Sequence, residues 1–138
     1  MVKTALQQDR IDIAGIMANI GGSSDGAVVS FIGRARDNSG DRQVLHLEYE
    51  AYGEMARKQL QAIADDAAAR WSLSSCTVVH RYGRVEIGEA SIIIAASSPH
   101  RKEAFRAVEY IIDTIKERVP IWKKEFFSDG SVWVNGHT

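Results

Sequence analysis

Residues 90–127 read ASIIIAASSPHRKEAFRAVEYIIDTIKERVPIWKKEFF, and this run predicts a strand, a helix and a further strand in direct succession. The apolar residues 92–96 favour a strand that ends at Ser97. A helix is predicted from Pro99 to Arg118, because one set of apolar residues recurs at helical spacing. That set is Ala104, Val108, Ile111, Ile112, Ile115 and Val119. Pro120 ends the helix, since proline cannot supply the backbone donor that a helix needs.

The rest of the chain alternates strands and helices in the same way. Strands are predicted at residues 2–7, 27–32, 44–51, 76–82, 84–97, 123–127 and 131–134. The strand 27–32 is expected to be buried, and the strand 84–97 is broken at residues 88–89. The last two strands are expected to form a hairpin. Two further helices are predicted, a short one capped by Asp12 and a long one over 53–71. The polar residues 33–42 predict a mobile loop. Strands interleaved with helices predict an α+β fold with a mixed, mainly antiparallel sheet.

Length and charge limit the classes of function. The chain has 138 residues and a mass of 15.3 kDa, which predicts one domain over residues 1–138. Seventeen basic and eighteen acidic residues give a net charge of -1, so a general nucleic-acid-binding surface is not expected. No apolar run approaches the length that spans a membrane, and the N-terminus lacks the pattern of a secretory signal. The expected location is the cytoplasm.

Cysteine and histidine usage gives no sign of a metal site. Cys76 has no second cysteine to pair with, and its strand position predicts an inert thiol. The histidines stand at positions 46, 80, 100 and 137, with no pair at the spacing of metal ligands.

The start of the third helix carries an unusual charge. Ser98 is a good N-cap and Pro99 a good first helical residue, but His100, Arg101 and Lys102 follow. Cations at a helix N-terminus are unfavourable by about 0.3–1 kcal/mol each, because the helix dipole is already positive there. The segment therefore suggests an anion site in which backbone N–H groups, His100 and Arg101 meet a phosphate or carboxylate. The alternative is a solvated basic turn that pairs with Glu103.

The end of the same helix and the strand after it carry two further candidates. Lys116 lies in the last helical turn, and Lys123 follows the proline break next to Trp122. A lysine beside apolar and aromatic groups loses pKa and can serve as acid, base or nucleophile. The alternative is structural, since Lys116 suits a helix C-terminus and can pair with Asp113.

A third candidate segment is Phe31-Ile32-Gly33-Arg34-Ala35-Arg36, where arginines leave a strand and enter a loop. Arginines in this position can clamp an anion, or they can pair with Asp37 or Asp41. Other polar or aromatic residues favour structural roles. His80-Arg81 is expected to be an exposed or paired element, and Glu48 and Glu50 are expected to lie on a solvated strand face. Trp71 and Trp133 are expected to be core residues.

Taken together, the segments resemble one family, the large catalytic subunit of molybdopterin synthase. The matching stretches run in order along nearly the whole chain: 31–36, Leu47-Glu48-Tyr49-Glu50-Ala51-Tyr52 with Met55-Ala56, His80-Arg81-Tyr82-Gly83, Gly88-Glu89, 98–105 and 116–125. The last two are the most specific.

The resemblance implies an α/β hammerhead-type fold and a homodimer at the centre of a heterotetramer. It implies a small ubiquitin-like sulfur-carrier partner whose Gly-Gly tail ends in a thiocarboxylate. The enzyme would move two sulfurs onto cyclic pyranopterin monophosphate, giving the molybdopterin dithiolene without a metal or organic cofactor.

The resemblance also implies roles for single residues. Arg36, His100 and Arg101 would bind the pterin and its phosphate, with contributions from both subunits of the dimer, and Phe31 would be a further substrate-binding residue. Lys116 and Lys123 would be catalytic and line the place where the thiocarboxylate meets the substrate. This agrees with the charge pattern, because residues 99–124 hold seven basic and four acidic residues, although the whole chain is near neutral.

Two other functions remain open from the residues. A scaffold that binds a phosphorylated metabolite or an acidic peptide tail would use the same cations without turnover. RNA binding is disfavoured by the net charge and by the absence of an exposed aromatic and basic strand motif. The chain departs from some family members in one respect, since only residues 134–138 follow Trp133 where those members carry a longer basic tail.

Overall fold

The computed structural model describes residues 1–134, and the last four residues of the short tail, His137 among them, lie outside the described part. Three helices are interleaved with ten strands in these residues. The elements in chain order are β1 (Val2–Gln7), α1 (Ile13–Asn19), β2 (Ala27–Arg34), β3 (Asn38–Ser39), β4 (Arg42–Gln43), β5 (His46–Ala51), α2 (Gly53–Trp71), β6 (Ser75–Arg81), β7 (Gly83–Glu86), β8 (Ala90–Ser98), α3 (Arg101–Arg118), β9 (Ile121–Phe127) and β10 (Gly130–Val134).

The strands form two four-stranded sheets and one small hairpin. The first sheet has the order β1-β6-β8-β2 and the second the order β10-β9-β5-β7, while β3 pairs with β4 alone. All strand pairs are antiparallel except β1 with β6. The predicted α+β class, with three helices and mainly antiparallel pairing, is confirmed.

The main core lies between the first sheet and helices α2 and α3. Alternate residues of β6 and β8, such as Val78 and Ile94, face α2 and α3, whose buried residues include Leu60 and Ile111. A smaller core, with Leu47 and others, packs against the second sheet. The predicted break at 88–89 is where the chain leaves the second sheet after β7 and enters the first sheet with β8.

Most predicted boundaries hold to within a few residues. Helix α2 spans the predicted range, and Asp12 caps α1 by accepting a hydrogen bond from the Gly15 N–H at 3.0 Å. The start of α3 differs, because His100 is the N-cap residue and Ser98 still belongs to β8. The Ser98 hydroxyl donates to the carbonyl oxygen of His100 at 2.6 Å instead of capping the helix.

The prediction of a buried strand at 27–32 is wrong. Strand β2 is an edge strand that pairs only with β8, and none of its residues is buried. Val28, Phe31 and Ile32 are each more than a third exposed. The apolar run reflects a surface left uncovered in the single chain.

The prediction of a loop without strands over residues 33–42 is also wrong, while the mobility of this segment stays a prediction. Strands β3 and β4 form a hairpin there, and the buried Ala35 and Val44 anchor its two ends. The Arg42 guanidinium lies 3.8 Å from the ring centre of Phe127 and pairs with Asp129 at 2.5 Å. The anchor comes from residues far away in the sequence, which local composition does not reveal.

Two assignments of burial also need correction. Trp133 is 44% exposed, because it lies at an edge of the second sheet and faces outward. The sequence predicts that His80-Arg81 is exposed or paired, but both residues are buried. The prediction of pairing is confirmed for Arg81, whose guanidinium lies 3.2 Å from the Glu89 carboxylate. Trp71 packs half-buried against the main core. Among residues 1–134, no helix is long and apolar enough to cross a membrane.

Candidate active site

A cavity of about 330 Å³ lies where the second sheet, the end of β2 and the last turns of α3 meet. Strands and a helix therefore supply most of its wall, which suits a site whose groups must be held in place. Its lining residues are Phe31, Gly33, Arg34, Arg36, Leu47, Tyr49, His80, Ser91, Ile92, Ile112, Ile115, Lys116, Glu117, Val119, Ile121, Trp122, Lys123, Glu125 and Val134. Four of the six residues predicted as catalytic or substrate-binding lie in this list, namely Phe31, Arg36, Lys116 and Lys123.

Lys116 and Lys123 reach the cavity from two different elements. Lys116 projects from the last turns of α3, on the same side as the buried Ile115 and the half-buried Ile112. Lys123 pairs across the strands with Tyr49, and alternation in β9 turns its side chain inward while Lys124 faces outward. The sharp turn at residues 119–120 is what brings the two lysines together.

Burial changes the proton affinity of both lysines. Removal from water lowers the pKa of Lys116, because the ammonium form is disfavoured there. The pKa of Lys123 is lowered first by burial and then by the positive charges of Lys116 and Arg36, while Glu125 acts in the opposite direction. The cavity therefore holds two cations that an incoming anion would stabilise.

The alternative role of Lys116 as a partner of Asp113 is not seen. Within residues 1–134, Lys116 makes no ion pair, and neither Arg34 nor Arg36 pairs with an acid. These cations are consequently available to a ligand.

The backbone around Ala35 fixes the positions of the two arginines. The Ala35 N–H donates to the Glu89 carbonyl at 3.0 Å, and the Ala35 carbonyl accepts from the Gly88 N–H at 2.9 Å. Because Ala35 is pinned and buried, Arg34 and Arg36 on either side of it remain exposed at the cavity. The wall is tight nearby, since a Cβ atom at Gly33 would lie 2.8 Å from the Ile92 side chain.

His100 and Arg101 lie elsewhere in the chain. Both are exposed at the N-terminus of α3. Fifteen residues of helix separate Arg101 from Lys116, which corresponds to about 22 Å at 1.5 Å per residue. One chain therefore does not bring the predicted phosphate-binding residues and the lysines into one site. Within residues 1–134, Glu103 forms no ion pair with this turn, and its Oε2 atom is buried without a hydrogen-bond partner.

The cavity also contains groups to which the sequence assigned no catalytic or binding role. His80, Tyr49 and Glu125 are among them, and burial raises the pKa of Tyr49 while it lowers that of His80 to about 4. Alternation in β5 puts Leu47 and Tyr49 on one face, but nothing local shows that this face borders a cavity.

Cys76, in contrast to the cavity residues, is fully buried in the core, and burial raises its pKa to about 11, which agrees with an inert thiol. No group of three or more potential metal ligands occurs in residues 1–134.

The chain is similar to known proteins over most of its length. It matches the family model described as MoaE protein over residues 6–118. It is 48% identical over 124 residues to a protein of Oryza sativa subsp. indica named molybdopterin synthase catalytic subunit, covering 90% of this chain but only 64% of that relative. A protein of Bacillus subtilis with the same name is 40% identical over 134 residues, covering 97% of this chain and 85% of the relative.

Solved structures agree with the sequence matches. The crystal structure of molybdopterin synthase from Staphylococcus aureus superimposes with a TM-score of 0.89 at 42% identity, covering 96% of both chains. A molybdopterin biosynthesis MoaE protein from Burkholderia ambifaria gives a TM-score of 0.79 at 32% identity, covering 100% of this chain and 92% of that one.

Proposed function

The chain belongs to the MoaE protein family, and from this premise we propose that it is the catalytic subunit of a molybdopterin synthase. The reaction moves sulfur from the C-terminal thiocarboxylate of a small ubiquitin-like carrier onto cyclic pyranopterin monophosphate. Two transfers give the dithiolene of molybdopterin, and each leaves a carrier that ends in a carboxylate. The curated relatives named as this catalytic subunit support the proposal.

The observation that carries the proposal is the convergence of Lys116 and Lys123 on one cavity. A thiocarboxylate and a cyclic phosphate are both anions, and two like charges about 4 Å apart repel by roughly 4 kcal/mol at an effective dielectric constant near 20. Two lysines with Arg34 and Arg36 offset this repulsion. Because the lysines are partly desolvated, their attraction for the charge that develops during sulfur addition is stronger than it would be in water.

The cavity also has a suitable size. Its volume of about 330 Å³ lies at the lower end of the range for small-molecule sites, roughly 300–1,000 Å³. A pterin ring can occupy such a space together with a narrow peptide tail, whose Gly-Gly end carries no side chains. Phe31 and Trp122 at the rim offer apolar faces to either ligand.

The phosphate site is proposed to be completed by a second copy of the chain. His100 and Arg101 are too far from Lys116 to act on the same substrate within one chain, about 22 Å along the helix. In a homodimer, the N-terminus of α3 from one subunit can border the cavity of the other. Each active site then combines the lysines of one subunit with the phosphate-binding residues of its partner, and a carrier on each subunit gives a heterotetramer.

A single-turnover experiment followed by mass spectrometry tests the function. The purified chain is mixed with a thiocarboxylate-ended carrier and cyclic pyranopterin monophosphate. A product with two added sulfurs and a carboxylate-ended carrier are expected together. Binding of the carrier with no sulfur-containing product would contradict the enzymatic proposal and favour a scaffold.

We further propose a cytoplasmic location and one domain over residues 1–138.

A further inference from the structure

Glu89 is not among the residues that line the cavity, but its backbone holds the segment that carries two of the cavity's arginines. Strand β2 pairs with β8 only as far as Arg34, with a shift of register just before it. Beyond this point the chain is held by the turn 86–89. The Ala35 N–H donates to the Glu89 carbonyl at 3.0 Å, and the Gly88 N–H donates to the Ala35 carbonyl at 2.9 Å. These two hydrogen bonds are called the Ala35 clasp below.

The side chain of Glu89 fixes the shape of the turn that forms the clasp. The Glu89 N–H donates to the Glu86 carbonyl at 3.0 Å and closes a β-turn. The third residue of this turn is Gly88, whose φ of +85° favours glycine. Oε1 of Glu89 reaches back and accepts from the Glu86 N–H at 2.9 Å. The backbone and the side chain of one residue therefore hold both ends of the turn.

The same carboxylate is anchored to the interior through Arg81. The Arg81 side chain is only 6% exposed, and its guanidinium donates to Oε1 of Glu89 at 3.2 Å. The guanidinium is itself held, because it also donates to the carbonyls of Gln8 at 2.9 Å and Arg84 at 3.1 Å. On the solvent side, the exposed Arg10 pairs with Oε2 of Glu89. Since one partner is buried, this ion pair has a larger structural effect than an exposed pair would have.

The positions of Arg34 and Arg36 depend on this turn. Both residues are exposed at the cavity, and each is joined to Ala35 by one peptide bond. Ala35 is buried, and the turn 86–89 holds both of its backbone polar groups. The turn holds the segment where strand pairing does not, because β2 has ended and β3 begins only at Asn38. Groups that bind a ligand must be kept within about 0.5 Å of their working positions by the residues behind them.

We propose that Glu89 is a positioning residue that sets Arg34 and Arg36 at the cavity through the Ala35 clasp. Its carboxylate acts by its reach, because it contacts the Arg81 guanidinium and the Glu86 N–H at the same time. The clasp is independent of the proposed function, whereas its effect on the affinity for the pterin substrate rests on that function.

Amide hydrogen exchange in the full chain tests the clasp without any activity. Glu89→Ala removes both side-chain contacts. Exchange at the Ala35 amide is expected to accelerate about tenfold or more relative to the amides of Ile93 and Ile94, which are fully buried in β8 and report global stability. Glu89→Gln keeps an oxygen of the same reach and is expected to stay within about threefold of the wild type. Unchanged exchange in Glu89→Ala, or equal acceleration in Glu89→Gln, would overturn the proposal.

Two further variants separate reach from charge and from general damage to the turn. Glu89→Asp keeps the charge but is one methylene shorter, so faster exchange at Ala35 is expected here too, and this variant decides the matter if Glu89→Ala does not fold. Glu86→Ala is the matched control, because the Glu86 carboxylate pairs with the exposed Arg84, and it is expected to leave the exchange unchanged. Wild-type exchange in Glu89→Asp, or the same acceleration in Glu86→Ala, would contradict the proposal.

The consequence for sulfur transfer is measured in the single-turnover assay at varied pterin concentration. Lys116 and Lys123 lie on α3 and β9, outside the clasped segment. Glu89→Asp is therefore expected to raise the pterin concentration for half-maximal rate about tenfold, while the maximal rate stays within about twofold. Loss of folded protein alone would leave the half-maximal concentration unchanged, and that result would contradict a positioning role. If the wild-type chain transfers no sulfur, the proposed function fails, and hydrogen exchange still decides the clasp.

Discussion

At the scale of single residues, burial gives ordinary side chains unusual properties. Lys116, Lys123 and His80 share one cavity, and each has its pKa lowered mainly by removal from water. Lys124, one residue along β9, has its Nζ 5.0 Å from the ring centre of Trp133 on the outward face. Neighbouring lysines thus have different chemistry because a strand alternates its faces.

Replacement of Lys116 by alanine is expected to abolish most of the sulfur transfer. Loss of a preorganised charge at a reacting centre costs about 10²–10³ in rate, and the half-buried position predicts little change in stability. Single-turnover rates and urea denaturation of Lys116→Ala measure the two effects. Lys124→Ala is the matched control and is expected to keep the wild-type rate, losing only about 0.5–1 kcal/mol from its contact with the aromatic rings. Wild-type transfer by Lys116→Ala would remove the lysine from the mechanism.

The depressed pKa of His80 predicts acid-sensitive stability. Its pKa is about 4 in the folded chain and 6.5 when unperturbed, so between these values the unfolded chain binds more protons. Stability is therefore lost as the pH falls from 6.5 towards 4, by roughly 3 kcal/mol in total. Urea denaturation at about pH 4.5 and pH 7 is expected to show this loss in the wild type and a smaller one in His80→Gln. An identical loss in both proteins would show that other groups cause it.

At the scale of elements, helix α3 determines where the charged groups lie. One face packs on the first sheet through Ala104, Ile111 and Ile115, while its two ends present the basic turn and Lys116. Pro120 ends the pattern, and the Tyr52 N–H donates to the Pro120 carbonyl at 3.0 Å, which ties the turn to the start of α2. The helix sets the separation between the predicted phosphate-binding residues and the lysines.

The packing of α3 predicts a graded loss of stability. Ile111 is fully buried, so Ile111→Ala is expected to cost about 2–5 kcal/mol and Ile111→Val about 0.5–1.5 kcal/mol. Phe105→Ala on the exposed side of the same helix should change stability by no more than about 0.5 kcal/mol. Urea denaturation of the three variants gives the comparison. Equal effects at positions 105 and 111 would contradict the assignment of the buried face.

At the scale of the whole molecule, the residues predicted as functional form two separate groups. The cavity holds Arg36, Lys116 and Lys123, while His100 and Arg101 are exposed at the far end of α3. The edge strand β2 exposes Val28 and other apolar side chains near one end of the first sheet. A second subunit can bring the two groups together.

Complementation between two inactive variants tests a site shared between subunits. Lys116→Ala and Arg101→Ala are each expected to be impaired alone. After denaturation and refolding together, half of a random mixture consists of mixed dimers with one intact site each, so about a quarter of wild-type transfer should return. The same variants refolded separately and then mixed are the control. If both variants are impaired alone and the refolded mixture shows no recovery, the two residues act in one subunit's site and the shared site is contradicted.

The sequence by itself determined the α+β class, the helix over residues 53–71 and most strands, because local periodicity and stop signals specify these elements. It also pointed to Lys116, Lys123 and Arg36, through the charge pattern and the family resemblance. Only the tertiary structure decided that β2 is an exposed edge, that residues 38–43 form an anchored hairpin and that His80 borders the cavity. It also separated His100 and Arg101 from the lysines. The reason is physical: burial and proximity depend on partners distant in the chain, and the pKa values of cavity residues follow from that burial.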